Sequence, residues 1–175
     1  GREAMGSTVV AVHIQHGACE VVWVGDSRAY LWRKGTLRRL SRDHSFLEVL
    51  VAKQLVSEQE ARAHPQRHLV TQTLGMGEPT PDRARADLQK DDWLLLCSDG
   101  LTDELDDDEL AHVLRLSTTP KEAVRQLIGA ALEKGVRDNV SAIVVEADQG
   151  RFRLSIPWWP IALGVVGGLV LVLLL

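Results

Sequence analysis

A chain of 175 residues that is 45% hydrophobic, 25% charged and 5% aromatic falls in the globular range, which excludes a disordered, collagen-like or low-complexity protein. With 20 Lys+Arg against 24 Asp+Glu the net charge is −4, and a mildly acidic body offers no clustered basic face for nucleic acid. Cys19 and Cys97 lie outside any CxxC pair and beside apolar runs; they read as small buried hydrophobes in a reducing compartment, not as a disulfide framework.

In chain order, residues 6–15 (GSTVVAVHIQ) and 18–25 (ACEVVWVG) read as strands joined at His16-Gly17, a hairpin signal. Residues 28–33 and 36–40 repeat the pattern around Lys34-Gly35, so four strands in quick succession predict an antiparallel sheet. Residues 45–55 have helical spacing, with Phe46, Val49 and Leu50 on one side. Ser57-x-x-Glu60 is a capping box that opens a second short helix, ended by Pro65. Residues 67–81 hold Gly75, Gly77, Pro79 and Pro81 without a sustained period and are expected to be loop. Residues 83–88 alternate like a strand, and the five apolar residues 93–97 predict a strand buried on both faces. Thr119-Pro120 with Glu122 starts a helix whose apolar stripe is Ala123, Val124, Leu127, Ile128, Ala131 and Leu132, with Gly135 as its stop. A last strand is expected over 140–147. Strands interleaved with segregated helices make the class α+β, a sandwich with helices packed outside.

The chain ends on a different texture. Residues 158–175 read WWPIALGVVGGLVLVLLL, without a charged side chain. At 1.5 Å per residue a helix of that length reaches about 27 Å, near the hydrocarbon thickness of a bilayer. Trp158 and Trp159 sit where an aromatic belt would place them. Arg151 and Arg153 flank the run, which puts the preceding body on the cytoplasmic side. The expectation is a domain over 1–148, a linker over 149–157 and a transmembrane helix over 158–175; a buried core helix is the alternative. Taking those two arginines from the 20 basic residues leaves 18 against 24 acids, a body of net −6.

Three motifs put carboxylates at strand ends. Asp26 stands in VGDSRAY, Asp99 in LLLCSDGLTDE and Asp138 in RDNVSAIVV. Asp103 follows Asp99 by four residues and shares its face if the chain turns helical there. Strands that are neighbours deliver such acids to a common rim, where they repel one another unless a cation neutralises them. Mg²⁺ or Mn²⁺ prefers oxygen ligands of this kind, and two such ions activate water for attack on phosphorus. Each motif taken singly also reads as an ordinary turn. The acidic run that continues to Glu109 reads as a solvated first helical turn with Asp106 as N-cap. No HExxH, GxSxG, GxxxxGK[ST] or GxGxxG occurs, so neither a zinc-protease site, a serine elbow nor a nucleotide cradle is supported. His13 and His112 read as packing or surface residues.

The ordered set MGSTVV, VGDSRAYL, SRDHS, HPQRHLVTQTLG, WLLLCSDGLTDEL and DNVSAIVV resembles the bacterial metal-dependent (PPM-type) serine/threonine protein phosphatases. The resemblance runs from Met5 to Ala147 and implies an αββα sandwich with a binuclear Mn²⁺/Mg²⁺ centre that hydrolyses phosphoserine and phosphothreonine. It implies Asp99 and Asp138 as ligands of the catalytic metal pair, and Asp26 with Asp99 and Asp103 as a third, weaker metal site. Residues 45–81 correspond to the family's flap beside the active site. The family's upstream arginine, NED-type acid and DGMGGH-type segment have no counterpart in residues 1–6. The expectation is therefore the C-terminal two-thirds of a phosphatase domain, inactive alone and anchored at the cytoplasmic face of the inner membrane. Its implied partners are phosphorylated Ser/Thr proteins and a cognate Ser/Thr kinase with its substrates. The alternative is a catalytically inactive, membrane-tethered module that binds phosphoproteins or senses a signal. A merely structural α+β domain tethered to the membrane is the third reading.

Overall fold

Residues 6–148, and the backbone of 151–155 and 169–174, are described by a computed structural model. Two hairpins open the fold. β1 (Val9–Gln15) pairs antiparallel with β2 (Ala18–Val24), and Gln15 faces Ala18. The two residues between them have φ of +49° at His16 and +75° at Gly17, the left-handed pair that a two-residue hairpin loop requires. β3 (Arg28–Arg33) and β4 (Thr36–Arg39) repeat the device at Lys34 and Gly35.

Two short helices follow. In α1 (Phe46–Ala52) the Ser45 hydroxyl caps the N-terminus by accepting from Glu48 N at 3.1 Å. The apolar face expected there is corrected: Leu47 is the buried residue, while Phe46 and Val49 are 42% and 45% exposed. Two turns carry too few residues for spacing alone to say which side meets the body. α2 (Glu58–Ala63) has the expected capping box, with Ser57 N and Glu60 N each bonded to the other residue's side chain.

β5 (Asp82–Asp87) and β6 (Trp93–Cys97) come next, and all five residues of β6 are buried, as expected. α3 (Asp99–Thr102) is a single turn. α4 (Asp107–Leu116) starts on a capping box between Asp106 and Glu109. In α5 (Pro120–Glu133) Thr119 Oγ1 accepts from Glu122 N at 3.2 Å. The Glu122 carboxylate does not close that box on Thr119; it accepts from Thr118 N and Thr118 Oγ1 instead. Ala123, Val124, Leu127 and Ala131 are buried, whereas Leu132, expected in the stripe, is 60% exposed.

β7 (Ala142–Asp148) is extended by β8 (Arg151–Ser155), which pairs with it in antiparallel register from Val144↔Ser155 to Asp148↔Arg151. A strand thus occupies part of the segment expected to be linker. β9 (Leu169–Leu174) pairs antiparallel with β1, from Val9↔Leu174 to Ile14↔Leu169. The helix expected over 158–175 is therefore a strand at 169–174, and the rest of that run lies outside the described residues. A stretch reading LVLVLL can satisfy its backbone against an open sheet edge as well as within a helix. Among the described residues no helix is long and apolar enough to cross a membrane.

The strands form a four-stranded sheet, β5-β2-β1-β9, and a five-stranded sheet, β4-β3-β6-β7-β8. The two hairpins thus belong to two sheets rather than one. β3 has Ala29, Tyr30, Leu31 and Trp32 all buried, so both its faces need covering. Val10, Val12, Ile14, Cys19, Val21 and Trp23 of the first sheet pack on Ala29, Leu31, Leu94, Leu96, Ile143 and Val145 of the second. On the second sheet's other face Tyr30, Trp32, Trp93, Leu95, Cys97 and Val144 meet Leu101, Leu105, Leu110 and Leu114, and the buried stripe of α5. Each such Leu or Ile contributes about 1.5–3 kcal/mol on burial. Of the expected αββα order, two sheets and one helix layer are described.

Candidate active site

Three chain segments converge at one end of the five-stranded sheet because of its register. Arg28 at the start of β3 and Ala142 at the start of β7 both face Cys97, the last residue of β6. The residues just outside those positions, Asp26, Asp99 and Asp138, consequently emerge together. With Asp103 they line one cavity of about 570 Å³, which Ser7, Thr8, Arg67, His68, Arg137 and Asn139 also border. All four acids expected from the sequence are thus brought to the same rim.

Local bonds set the directions of two of them. Asp99 Oδ1 accepts from Gly100 N at 2.8 Å, and Asp138 Oδ1 accepts from Asn139 N at 2.7 Å. Ser98 joins their loops: its hydroxyl donates to Asn139 O at 3.2 Å and accepts from Ser141 N at 2.9 Å. Gly100 is needed for this approach, since a Cβ there would lie 2.4 Å from Asn139 O. α3 makes the expected turn, with Asp103 N donating to Asp99 O at 2.7 Å. Asp26 follows Gly25, whose φ of +106° lies where side chains are strained and whose Cβ would fall 2.4 Å from Thr8 Cγ2. The glycines of VGD and SDG are therefore part of the site's construction.

The rim is electrostatically costly as it stands. Burial, then the Asp99 and Asp43 charges, push the Asp26 carboxyl up to about 7. Asp99 is raised by burial and then by Asp103, against the opposing bond from Gly100 N. Asp103 is raised by burial, although His68, Arg67 and Arg28 pull the other way. The Arg28 guanidinium answers this need only in part, because Asp43 holds it through Nε and Nη2, the latter at 2.7 Å. Clustered, partly desolvated oxygen donors with raised proton affinity are the donor set a hard divalent cation relieves. The chemistry fits Mg²⁺ or Mn²⁺, yet among the described residues no three His, Cys, Asp or Glu side chains close round one point to hold an ion.

Three basic residues at this rim, Arg67, His68 and Arg137, were not assigned from the sequence. His68 Nδ1 lies 3.2 Å from Asp103 Oδ2, and Arg67 Nε lies 4.0 Å from its other oxygen. Arg137 borders the same cavity. The motif HPQRHLVTQTLG contains the first two, but only the closure of its loop on α3 reveals their role. That loop is tied down by a bridge between Ser7 and Leu74 and another between Ser45 and Val70. His13 and His112 border neither this cavity nor one another, and Cys19 and Cys97 are buried free thiols.

Two sheets carrying such an acid rim are the architecture of the metal-dependent phosphatases, and comparison with known structures agrees. The crystal structure of the Mycobacterium tuberculosis serine/threonine phosphatase PstP/Ppp superposes with a TM-score of 0.80 at 34% identity, over 84% of this chain and 62% of that one. The catalytic domain of PstP in complex with 2 manganese ions gives 0.72 at 32% identity, over 81% of this chain and 58% of that one. In sequence, PstP of M. tuberculosis is 35% identical over 169 residues, which is 95% of this chain and 32% of the relative. The chain thus spans about a third of that curated relative and about three-fifths of the solved domains. Residues 2–148 match the family model described as Stage II sporulation protein E (SpoIIE). The chain belongs to the SpoIIE/PPM-type serine/threonine phosphatase family.

Proposed function

We propose that this chain carries the Asp26, Asp99, Asp103 and Asp138 part of the active site of a protein serine/threonine phosphatase. The observation that carries the reading is the delivery of four carboxylates, three of them with raised proton affinity, to one cavity. Asp99 and Asp138 would hold the catalytic metal pair, and Asp26, Asp99 and Asp103 a third ion. Bound Mn²⁺ or Mg²⁺ supplies Lewis acidity and a water acidic enough to be a nucleophile near neutral pH. Around that centre, the chain's own residues orient and neutralise. Arg67 and Arg137 set positive charge beside a phosphate dianion. The Gly100 and Asn139 amides hold one oxygen each of Asp99 and Asp138, leaving the other oxygen of each for the ion.

The substrates are phosphoserine and phosphothreonine proteins, among them those of a partner Ser/Thr kinase. The test is Mn²⁺-dependent phosphate release from a phosphothreonine peptide by the longest polypeptide that carries residues 1–175. Asp99→Asn abolishes that release; undiminished turnover in the variant would sink the metal assignment. Residues 1–175 alone are expected to release no phosphate. One second reading is an inactive module that binds phosphopeptides, with Arg67 and Arg137 at the cavity as its charges for phosphate. Phosphopeptide binding without turnover in the longer polypeptide would establish it.

Attachment to the cytoplasmic face of the inner membrane rests on the uncharged run 158–175. For residues 169–174 a membrane helix and the strand paired with β1 exclude one another. Deleting the residues after Phe152 is expected to move the protein from the membrane to the soluble fraction, and continued membrane association would reject the anchor.

A further inference from the structure

The motif SRDHS, residues 41–45, has no part in the reading above, yet it grips the turn that carries Asp26 on both sides. On the far side Ala29 N donates to Ser41 Oγ at 2.9 Å, Leu40 N donates to Ala29 O at 2.8 Å, and Asp43 takes the Arg28 guanidinium. On the near side His44 meets Gly25 twice. Its own N–H donates to Gly25 O at 2.8 Å, and Gly25 N donates to its ring Nδ1 at 3.2 Å. A ring nitrogen that accepts a hydrogen bond carries no proton, so the proton of His44 sits on Nε2, 3.2 Å from Asp82 Oδ2. The imidazole is 7% exposed, and its ring centroid lies 6.4 Å from that of Trp23, whose indole N–H donates to Arg42 O. The ring is thus held by its surroundings and in turn holds a glycine whose φ of +106° aims the next residue into the cavity.

The same residue reaches the other wall of the site. Thr71 N donates to His44 O at 2.6 Å, and Phe46 N donates to Leu69 O at 3.0 Å. The strip 69–71 follows directly on Arg67 and His68, which meet Asp103. One short segment therefore fixes the backbone before one rim carboxylate and the backbone after the Arg67–His68 pair beside another.

We propose that His44 is a positioning residue of the active site: by accepting from Gly25 N and from Thr71 N it sets the Asp26 carboxylate against the Arg67–His68 strip. The inference rests on the metal reading of Asp26, and groups that orient metal ligands typically contribute ten- to a hundredfold in affinity. Three substitutions separate the roles of the ring. Asn presents Oδ1 where Nδ1 stood and keeps the Gly25 bond. Gln presents its end group where Nε2 stood and loses that bond, and Leu loses both. Mn²⁺ binding to the longest polypeptide that carries residues 1–175, followed by electron paramagnetic resonance, is expected to weaken about ten- to a hundredfold in His44→Leu and His44→Gln. His44→Asn should stay near the parent, and amide exchange at Gly25 should quicken only in the first two. Asp26→Asn serves as the reference. If it weakens binding while His44→Gln does not, or if His44→Asn is as weak as His44→Gln, the positioning role is overturned. If Asp26→Asn leaves Mn²⁺ binding unchanged, the metal reading of Asp26 falls and this inference falls with it. Should His44→Leu fail to fold, the Asn and Gln pair decides alone.

Discussion

The two ends of β6 carry acids, buried Asp92 before the strand and half-buried Asp99 after it, and they treat them in opposite ways. Before the strand, Asp92 has a side chain only 3% exposed, and every demand it makes is met. Arg33 donates Nε to Oδ1 at 2.9 Å and Nη2 to Oδ2 at 2.6 Å, and Gln89 N adds a third bond at 2.6 Å. After the strand, Asp99 shares its cavity with four more carboxylates, Asp26, Asp103, Glu104 and Asp138, and the nearest guanidinium of β3 is committed to Asp43. The first end is closed electrostatically and serves the fold. The second is left open, a cost that only a function repays.

Substitution at the two ends should therefore move stability in opposite directions. Asp92→Ala leaves Arg33 and the Gln89 amide unanswered and is expected to cost about 3 kcal/mol in urea unfolding; a loss below about 1 kcal/mol would show the closed end to be ordinary surface pairing. Asp26→Asn should instead stabilise the metal-free chain. The Asp26 carboxyl, with an ordinary value of 3.8, is raised to about 7 on folding. Its protonated form is the one the fold favours, so stability is fully present below about pH 4 and is lost as pH rises through about 7. The amide variant escapes that loss, gaining on the order of 2 kcal/mol near pH 8 in chelator and nothing near pH 4. A gain independent of pH would place its origin elsewhere. The smallest effect lies away from both ends: Thr119→Ala removes one cap bond of α5 and should cost about 1 kcal/mol at either pH, read from the thermal midpoint.

The closed end was invisible in the sequence, while much of the open end was not. Asp99 and Asp138 sit within four residues of strands of strong apolar character, and register, with the Ser98 bonds to the second loop, carries them to one rim once β6 and β7 pair. Caps at Ser57, Asp106 and Thr119 were readable because they act within four residues. Hairpin turns were readable for the same reason, but the sheet each hairpin joins was not, since a period of two gives a strand its faces and not its partners. His44 and Arg67 stayed hidden because their partners Gly25 and Asp103 are distant in sequence. Leu169–Leu174 shows the opposite failure, where apolar composition without a period fits a membrane helix and a sheet-edge strand alike.

The two free thiols fall one to each packed layer. Cys19 lies between the sheets and Cys97 between the second sheet and its helices. Burial pushes Cys97 up to about 12 and raises Cys19 as well, so neither offers a thiolate to an oxidant or alkylating reagent while its layer stays shut. Each reacts only when its own layer opens. The chain thus carries a pair of internal clocks: the labelling rate of Cys19 times the parting of the sheets, and that of Cys97 times the lifting of the helices from behind the acid rim.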